Sequence, residues 1–326
     1  MRLTAYASVL FLVSQGQRLA AQETPRTFLE SARANVVLIH GRPGVTGFGF
    51  IAGLGERTVL IATPKHVVKD TTVVTITVDT VSVCFLGRMD CTRGPVIYWS
   101  DARGSGDAAL DLAVIEVSYP SRLPWRPDVM GATPTAGEPA WFIGRNQTWF
   151  LPDTPGRILS SEADSGSLLY TGLQVAEGVS GAPILVTSGI IGMHLESARS
   201  DESRGLLLET IRTRLETRLR RQWVLVPRVT CPEQDGARRV LANRWVVVRF
   251  PWYRAAPAME AMARLRCVGA LTLPSPIWES SEGEREVVYR NGDLRSARVI
   301  QTVLASLGRI EPRLGTPEGE LELIVR

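Results

Sequence analysis

Lysine is almost absent from this chain, and no stretch carries a long block of charge of one sign. The 326 residues include two lysines, Lys65 and Lys69, and the 37 basic residues exceed the 33 acidic ones by a net charge of only +4. A surface that binds nucleic acid normally concentrates positive charge in a patch or stripe. The charge pattern therefore argues against a nucleic-acid partner.

Cysteine and histidine are also scarce, with four and three residues respectively. No close pair of cysteines has histidine partners, so the sequence predicts no metal site, and we expect no cofactor. The cysteines allow three pairings, of which we favour Cys84 with Cys91 and Cys231 with Cys267, because each pair then stays within one domain. Four reduced, buried thiols are the alternative.

The N-terminus holds the one hydrophobic run that resembles a targeting segment. Arg2 precedes an apolar stretch over residues 5–13, which is too short to span a bilayer, and small residues follow at Ala20 and Ala21. This pattern predicts a signal peptide over residues 1–21 and a secreted or periplasmic mature chain without further membrane contact. An uncleaved anchor is the alternative.

Short apolar runs separated by glycine, proline, aspartate and asparagine fill the next two hundred or so residues, as is typical of β-sandwiches and barrels. A connection rich in proline, over residues 120–134, divides the runs into two sets. The sequence therefore predicts a mainly β fold of two six-stranded barrels with a cleft between them. The runs are 35–39, 47–52, 59–62, 73–78, 81–86, 96–99 and 112–117 before the connection, and 140–143, 148–151, 157–159, 168–170, 184–186, 190–194 and 206–208 after it.

Three polar residues stand at the edges of these runs. Ser180 lies in the segment Gly178-Val179-Ser180-Gly181, just before a buried strand, where a tight turn presents a hydroxyl and outward-facing amide groups. His66 follows the run 59–62, and Asp111 opens the run 112–117. We prefer Asp111 to Asp107 as the acid because glycines precede Asp107 in what we interpret as a loop. Together the three residues can form a nucleophile, a base and the group that orients the base.

In this order the three segments resemble those of the trypsin-like serine proteases, most closely the bacterial HtrA-like branch. The segment Gly47-Phe48-Gly49-Phe50-Ile51 is similar to the family's strand before the histidine. The resemblance extends over about residues 28–222. It implies that His66, Asp111 and Ser180 are catalytic and that the backbone N–H groups of Gly178 and Ser180 form the oxyanion hole. No PDZ domain, common in that branch, is recognisable after residue 222.

The resemblance also indicates where a substrate side chain would bind. Gln174 falls near the floor of the family's specificity pocket, and Leu195, Glu196 and Ser197 fall on the neighbouring strand. A neutral floor does not favour an arginine-selecting pocket, so we expect a small or medium apolar residue before the cleaved bond. His194 is interpreted as a structural or pocket-side group.

The C-terminal part alternates strands, expected at 223–226, 245–250, 286–290 and 321–325, with helices at 258–267 and 294–307. It predicts a small α+β domain over residues 223–326, which follows a protease domain over residues 22–222. This domain could dock a partner in the cell envelope. Two functions follow: an exported serine endopeptidase acting on proteins or peptides, or a catalytically idle, protease-like binding protein that acts through its C-terminal domain.

Overall fold

The structure is a computed structural model, and part of the chain is described. The described residues are 25–55, 58–69, 80–100, 110–118, 125–173, 177–197, 201–229, 235–251, 254–277, 285–290, 292–315, 317 and 320–325. The predicted signal peptide, Gln174, Cys231 and Asp107 lie outside them, as does the expected strand at 73–78. None of the described helices is long and apolar enough to cross a membrane.

A short helix and a barrel form the first part of the described chain. Helix α1 (Pro25–Ser31) runs into a 3-10 turn (Ala32–Asn35). The strands are β1 (Val36–His40), β2 (Thr46–Leu54), β3 (Thr58–Thr63), β4 (Thr80–Phe85), β5 (Cys91–Trp99) and β6 (Ala113–Ser118), with the one-turn helix α2 (Lys65–Val68) after β3. They pair antiparallel in the order β1-β4-β5-β6-β3-β2, and β1 also pairs with β2, which closes the barrel.

A second closed barrel follows the proline-rich connection. Its strands are β7 (Pro139–Phe142), β8 (Gly156–Glu162), β9 (Ser167–Thr171), β10 (Pro183–Val186), β11 (Gly189–Ser197) and β12 (Glu202–Leu207). They pair in the order β10-β11-β12-β9-β8-β7, and β10 pairs again with β7. The prediction of a mainly β fold with two six-stranded barrels is therefore confirmed.

One expected strand of the second barrel is not formed. Residues 148–151 contribute a single bridge from Thr148 to Arg145, across a turn at Asn146 and Gln147, which both have positive φ. Beyond the bridge one backbone bond follows, from Gly144 N to Phe150 O at 2.9 Å, and Pro152, which has no N–H to donate, then follows the segment. Trp149 is used differently, because its indole N–H donates to the carbonyl of Val36 at 2.7 Å.

The chain then returns to the first barrel. Helix α3 (Leu208–Arg218) packs on β11 and β12, and the short strand β13 (Gln222–Trp223) pairs with β2. The amide of Val224 donates to Ala52 O at 3.2 Å, and that of Val226 donates to Pro127 O at 2.8 Å. Residues 223–226, expected to open the C-terminal domain, thus lie against the barrels.

The described residues of the C-terminal unit form a five-stranded sheet with three α-helices. The elements are α4 (Asp235–Leu241), β14 (Trp245–Pro251), α5 (Ala255–Cys267), β15 (Leu271–Ile277), β16 (Arg285–Tyr289), α6 (Leu294–Val303), a 3-10 turn (Ala305–Leu307), β17 (Ile310–Leu314) and β18 (Leu321–Ile324). The sheet order is β15-β14-β18-β16-β17. Helix α5 links the parallel pair β14 and β15, helix α6 links the parallel pair β16 and β17, and β18 joins the two β-α-β units. This confirms the expected α+β class.

The first predicted disulfide is present. Cys84 and Cys91 face each other across β4 and β5 and are bonded. Cys267 is disulfide-bonded as well, but the residue expected as its partner, Cys231, lies outside the described residues. The pairing of Cys231 with Cys267 therefore stays a prediction.

The N-terminal segment fastens the connection between the barrels. Phe28 is fully buried, with the guanidinium carbons of Arg126 and Arg228 at 5.1 and 4.4 Å from its ring centroid. The side chain of Asn35 donates to Arg126 O at 2.6 Å and accepts from Arg126 N at 2.9 Å. Because both bonds go to the backbone of Arg126, this buried amide fixes the path of the connection.

Replacing Asn35 by alanine leaves two backbone groups of Arg126 without their partner. We expect a loss of about 2 kcal/mol or more in the free energy of unfolding, the cost of partly buried polar groups left unsatisfied. Urea unfolding monitored by tryptophan fluorescence measures it. Thr187→Ala, in an exposed turn, is the control and should change stability by less than about 0.5 kcal/mol. Equal small losses in both variants would contradict this role for Asn35.

Candidate active site

Strand register in the first barrel brings His66 and Asp111 together. Strand β3 ends at Thr63, directly opposite Ala113 at the start of β6, so the segments that flank these ends are neighbours. Oδ1 of Asp111 accepts a hydrogen bond from the backbone amide of His66 at 3.0 Å, and Oδ2 of Asp111 is hydrogen-bonded to His66 Nδ1. Because an ionised carboxylate can only accept, this contact places the ring proton on Nδ1 and leaves Nε2 available as a base.

Ser100 secures the backbone on both sides of Asp111, a role that sequence reasoning missed. The Ser100 amide donates to Leu112 O at 2.8 Å. The Ser100 hydroxyl donates to Leu110 O and accepts from Leu112 N at 3.4 Å. The Ser100 carbonyl accepts from Lys65 Nζ at 2.7 Å. One buried serine thus anchors the residues next to the acid and the residue before the histidine. A serine after a strand is so common that the sequence carries no signal for it.

The turn that carries Ser180 packs closely against strand β2 of the first barrel. Phe48 N donates to Ser180 O at 2.7 Å, which ties the turn to β2. Gly181 has φ of +88°, and a Cβ atom there would lie 1.8 Å from Phe48 O and 2.7 Å from Cδ of Pro64, two residues before His66. Only glycine permits both this backbone conformation and this close approach.

A second glycine shows how near the two halves of the site lie. A Cβ atom at Gly47 would be 2.7 Å from Cγ2 of Val67 and 2.8 Å from Ser180 O. The residue after His66 and the carbonyl of Ser180 therefore meet at the same point of β2. The structure brings the His66–Asp111 pair and the Ser180 turn to one place between the barrels.

The hydroxyl of Ser180 and the amides of Gly178 and Ser180 make few hydrogen bonds among the described residues. The Ser180 hydroxyl donates to Leu195 O at 3.4 Å, the long end of hydrogen-bond distances. Gly178 has φ of +77°, and within the described part of the chain neither its amide nor that of Ser180 donates to a backbone carbonyl. By contrast, the next two amides stabilise the turn itself: Gly181 N donates to His194 O and Ala182 N to Val179 O, both at 2.9 Å.

The residues expected to line a substrate pocket occupy different environments. Leu195 is buried at the end of β11, whereas Glu196 and Ser197 are exposed. Glu196 lies 3.5 Å from Arg204 on β12, and both side chains are more than half exposed. A charge so well solvated contributes little to binding.

His194 is part of a buried polar chain inside the second barrel. It lies on β11, Tyr170 on β9 and Ser203 on β12, with relative exposures of 2, 0 and 4 %. The Tyr170 hydroxyl is hydrogen-bonded to His194 Nδ1, and Ser203 lies directly opposite Tyr170 in the pairing of β12 with β9. Burial raises the pKa of Tyr170 far beyond its usual range, and it lowers the pKa of His194 to about 4, with the nearby His66 adding to that shift. Both side chains are therefore neutral at pH 7.

Two six-stranded antiparallel barrels, with a histidine and an aspartate on one and a glycine-flanked serine on the turn before β10 of the other, define the architecture. The two barrels have the arrangement of the trypsin-like serine protease fold. No protein-family model matches the sequence, and no curated protein matches it significantly.

Solved structures similar to this chain come from bacteria and a virus. The serine endoprotease from Yersinia pestis is 19% identical, with a TM-score of 0.47 over 60% of this chain and 67% of that one. The Rv3671c protease of M. tuberculosis in its inactive form is 18% identical, with a TM-score of 0.43 over 58% and 90%. The human pathogenic astrovirus serine protease is 18% identical, with a TM-score of 0.38 over 54% and 90%. At these identities and TM-scores, nothing about the activity of this chain follows from the likeness.

Adding a methyl group at Gly181 should separate the two barrels at the site. Gly181→Ala combines a left-handed backbone with a collision against Phe48 O, whereas Gly137→Ala has φ of +83° and open space around it. We expect both to lose the ~1–2 kcal/mol of left-handed strain, and Gly181→Ala to lose about 1–3 kcal/mol more from overpacking. Denaturant unfolding of the two variants checks this, and equal losses would contradict the close approach.

Acid should destabilise the fold through His194. Its folded pKa lies below its unfolded value of 6.5, so the unfolded state binds the proton first, and stability present above pH 6.5 is lost as the pH falls towards 4. This lowering of the His194 pKa corresponds to about 3 kcal/mol in the free energy of unfolding. The free energy of unfolding between pH 7 and 4 should fall by about that much more in the wild type than in His194→Leu. The control Ser165→Ala, at an exposed position without a titrating side chain, should keep the wild-type slope; identical slopes for all three proteins would refute the assignment.

Proposed function

We propose that this protein is an exported serine endopeptidase that cleaves peptide bonds through an acyl-enzyme on Ser180. The observation that supports it most directly is the two-point contact between His66 and Asp111 beside a serine turn locked onto β2. In the proposed mechanism these side chains, one pair from the first barrel and one from the second, act together on a peptide bound between the barrels. Substrates are therefore proteins or peptides, and no cofactor is required.

His66 is the proposed general base and later the general acid. Asp111 accepts hydrogen bonds from the Nδ1–H and from the backbone amide of His66. These two bonds fix the orientation of the imidazole ring and leave Nε2 available as the base. During the attack Nε2 takes the hydroxyl proton, and the carboxylate stabilises the imidazolium that forms. The same proton then passes to the leaving amine.

Ser180 must rotate before it can react. In this structure its hydroxyl donates to Leu195 O at 3.4 Å. Because that bond is long, rotation about the Cα–Cβ bond towards His66 gives up little energy. Hydrogen bonds between nucleophile and base commonly form fully only when the substrate is bound.

The amides of Gly178 and Ser180 are the proposed oxyanion hole. Neither amide donates a hydrogen bond to a described backbone carbonyl, so both can donate to the negative oxygen of the tetrahedral intermediate. The positive φ of Gly178 turns the backbone at this point, where a Cβ atom would itself be strained. Such a donor typically contributes roughly 3–4 kcal/mol to transition-state stabilisation.

Export is supported by the bond between Cys84 and Cys91, because disulfides persist mainly in oxidising compartments. It agrees with the expected signal peptide over residues 1–21 and with a secreted or periplasmic mature enzyme. The C-terminal α+β unit, after residue 230, is proposed to dock a partner in the cell envelope.

Labelling with a fluorophosphonate tests the proposed mechanism. We expect the wild type to form one covalent adduct on Ser180, located by mass spectrometry, because only an activated serine attacks the reagent. Ser180→Ala and His66→Ala should lose the adduct, and Asp111→Asn should slow labelling by about 10⁴-fold because the wrong tautomer is then favoured.

Matched substitutions elsewhere serve as controls. Ser165→Ala and His40→Ala change an exposed serine and an exposed histidine away from the site and should label at the wild-type rate. A folded wild-type protein that stays unlabelled, and that cleaves no peptide, would refute the enzyme and favour the rival function, an idle protease-like binding protein that acts through its C-terminal unit.

A further inference from the structure

Strand pairing in the first barrel gathers three metal-ligating side chains that are separated in the sequence. A ring nitrogen of His40 and the Sγ atoms of Cys84 and Cys91 all lie within 4.8 Å of one another. Cys84 lies directly opposite Cys91 across β4 and β5. Leu38 faces Cys84 across β1 and β4, so His40, two residues further along β1, projects from the same face of the sheet. Thiolate sulfur and imidazole nitrogen are the ligands that zinc prefers in proteins.

The two sulfurs are bonded to each other in this structure, so the cluster can bind a metal only after reduction. Cys91 is exposed and Cys84 is buried, so solvent reaches the pair from the side of Cys91. A thiolate of a dithiol reductant can attack Cys91 Sγ, which breaks the S–S bond and releases the Cys84 thiolate. The second thiol of the reductant then attacks the mixed disulfide and releases the Cys91 thiolate. Two electrons pass to the protein, and the dithiol becomes a disulfide.

The strands that carry the three ligands are held by backbone ladders as well as by the disulfide. Strand β4 pairs with β5 from Thr80 opposite Pro95 to Cys84 opposite Cys91, and β1 pairs with both β2 and β4. Reduction therefore leaves the two cysteines facing each other, with Cα atoms that lie 4.2 Å apart in the disulfide form. Neighbouring ligand atoms in a tetrahedral zinc site lie about 3.5–3.8 Å apart. Side-chain rotation can reach this spacing without a rearrangement of the strands.

The surroundings of the cluster favour thiolate sulfur and leave the histidine available. Arg93 faces Ser82, which in turn faces His40, so Arg93 projects from the same face as the cysteines. A positive charge near a cysteine favours the thiolate, which is the form that binds metals. Within the described part of the chain, neither ring nitrogen of His40 has a hydrogen-bond partner. Because two thiolates balance the charge of a divalent cation, the arginine does not oppose its binding.

We propose that His40, Cys84 and Cys91 form a zinc site when the disulfide between the two cysteines is reduced. Three protein ligands leave the fourth tetrahedral position open, and water or a small ligand fills it because His40 and Cys91 are exposed. The disulfide and the metal use the same sulfurs, so each excludes the other. The site lies on the first barrel and is independent of the proposed function.

Titration with Co²⁺, which takes the same tetrahedral geometry as Zn²⁺ and is coloured, tests the proposal. The protein is reduced with a phosphine, freed of the reductant without air and titrated at pH 7. We expect one Co²⁺ per chain, with the strong visible bands of a tetrahedral site and the ultraviolet charge-transfer band of cobalt–thiolate bonds. Zn²⁺ should abolish both signals, and the disulfide form should show neither. A folded, reduced protein that binds neither ion would overturn the proposal.

Substitution of each ligand assigns the site. His40→Ala keeps both thiols and changes an exposed residue, and circular dichroism checks that it folds. We expect it to weaken Zn²⁺ binding about tenfold or more, measured by competition with a coloured chelator, because groups that only orient a ligand already contribute about 10- to 100-fold. Cys84→Ser and Cys91→Ser should each halve the cobalt–thiolate band. An unchanged Zn²⁺ affinity in His40→Ala would overturn the three-ligand site.

The other disulfide-bonded cysteine supplies the matched control. Cys267 lies in the C-terminal unit, and the same reduction frees its thiol. Cys267→Ser should therefore keep the Co²⁺ bands and the Zn²⁺ affinity of the wild type. Bands that disappear in Cys267→Ser but persist in Cys84→Ser would place the metal on other thiols and overturn the assignment.

Discussion

The hydrogen bond from Phe48 N to Ser180 O is the contact on which the site depends, because it joins the turn before β10 to a strand of the first barrel. Alone it contributes about 1 kcal/mol. It forms because Gly47 and Gly181 leave no side chain between the two backbones. The same close approach brings the serine turn to Pro64 and Val67, on either side of His66. Without it nothing would hold the serine turn of the second barrel against the strand of the first barrel that lies beside the histidine.

Each half of the site is fixed by its own barrel. In the first, the pairing of β3 with β6 aligns His66 with Asp111, and Ser100 anchors the backbone around the acid. In the second, β11 supports the serine turn through the backbone of His194. The N-terminal segment adds a third constraint, because Asn35 holds the connection between the barrels. The interface between rigid parts therefore sets the relative positions of the polar groups.

The sequence predicted the parts of the fold that have a local signature. Alternating apolar runs and the proline-rich connection indicated two barrels, and glycines around a serine indicated the turn. Strands β15 and β17 were missed because Pro274, Pro276 and Pro312 interrupt them. Proline cannot donate to a ladder and usually rules out a strand, but β15 and β17 are the two edges of their sheet, where one side needs no partner.

Contacts between distant residues could not be predicted in the same way. Ser100 acts on Leu110 and Leu112, and Tyr170 meets His194 and Ser203, only because particular strands become neighbours. Residues 148–151 are apolar enough for a strand, yet they form only the single bridge from Thr148 to Arg145. The pattern of apolar residues in the sequence predicts which residues are buried. The pairing register of the strands decides which of these buried residues contact each other.

A crystal structure of the protein with a peptide boronic acid tests the central claim most directly, since boron adds to an activated serine as a tetrahedral mimic of the intermediate. The expected result is a covalent bond from Ser180 Oγ to boron, with one boronate oxygen accepting from the amides of Gly178 and Ser180 and another within hydrogen-bond distance of His66 Nε2. An unmodified Ser180 at saturating boronate, with its hydroxyl still on Leu195 O, would contradict the account.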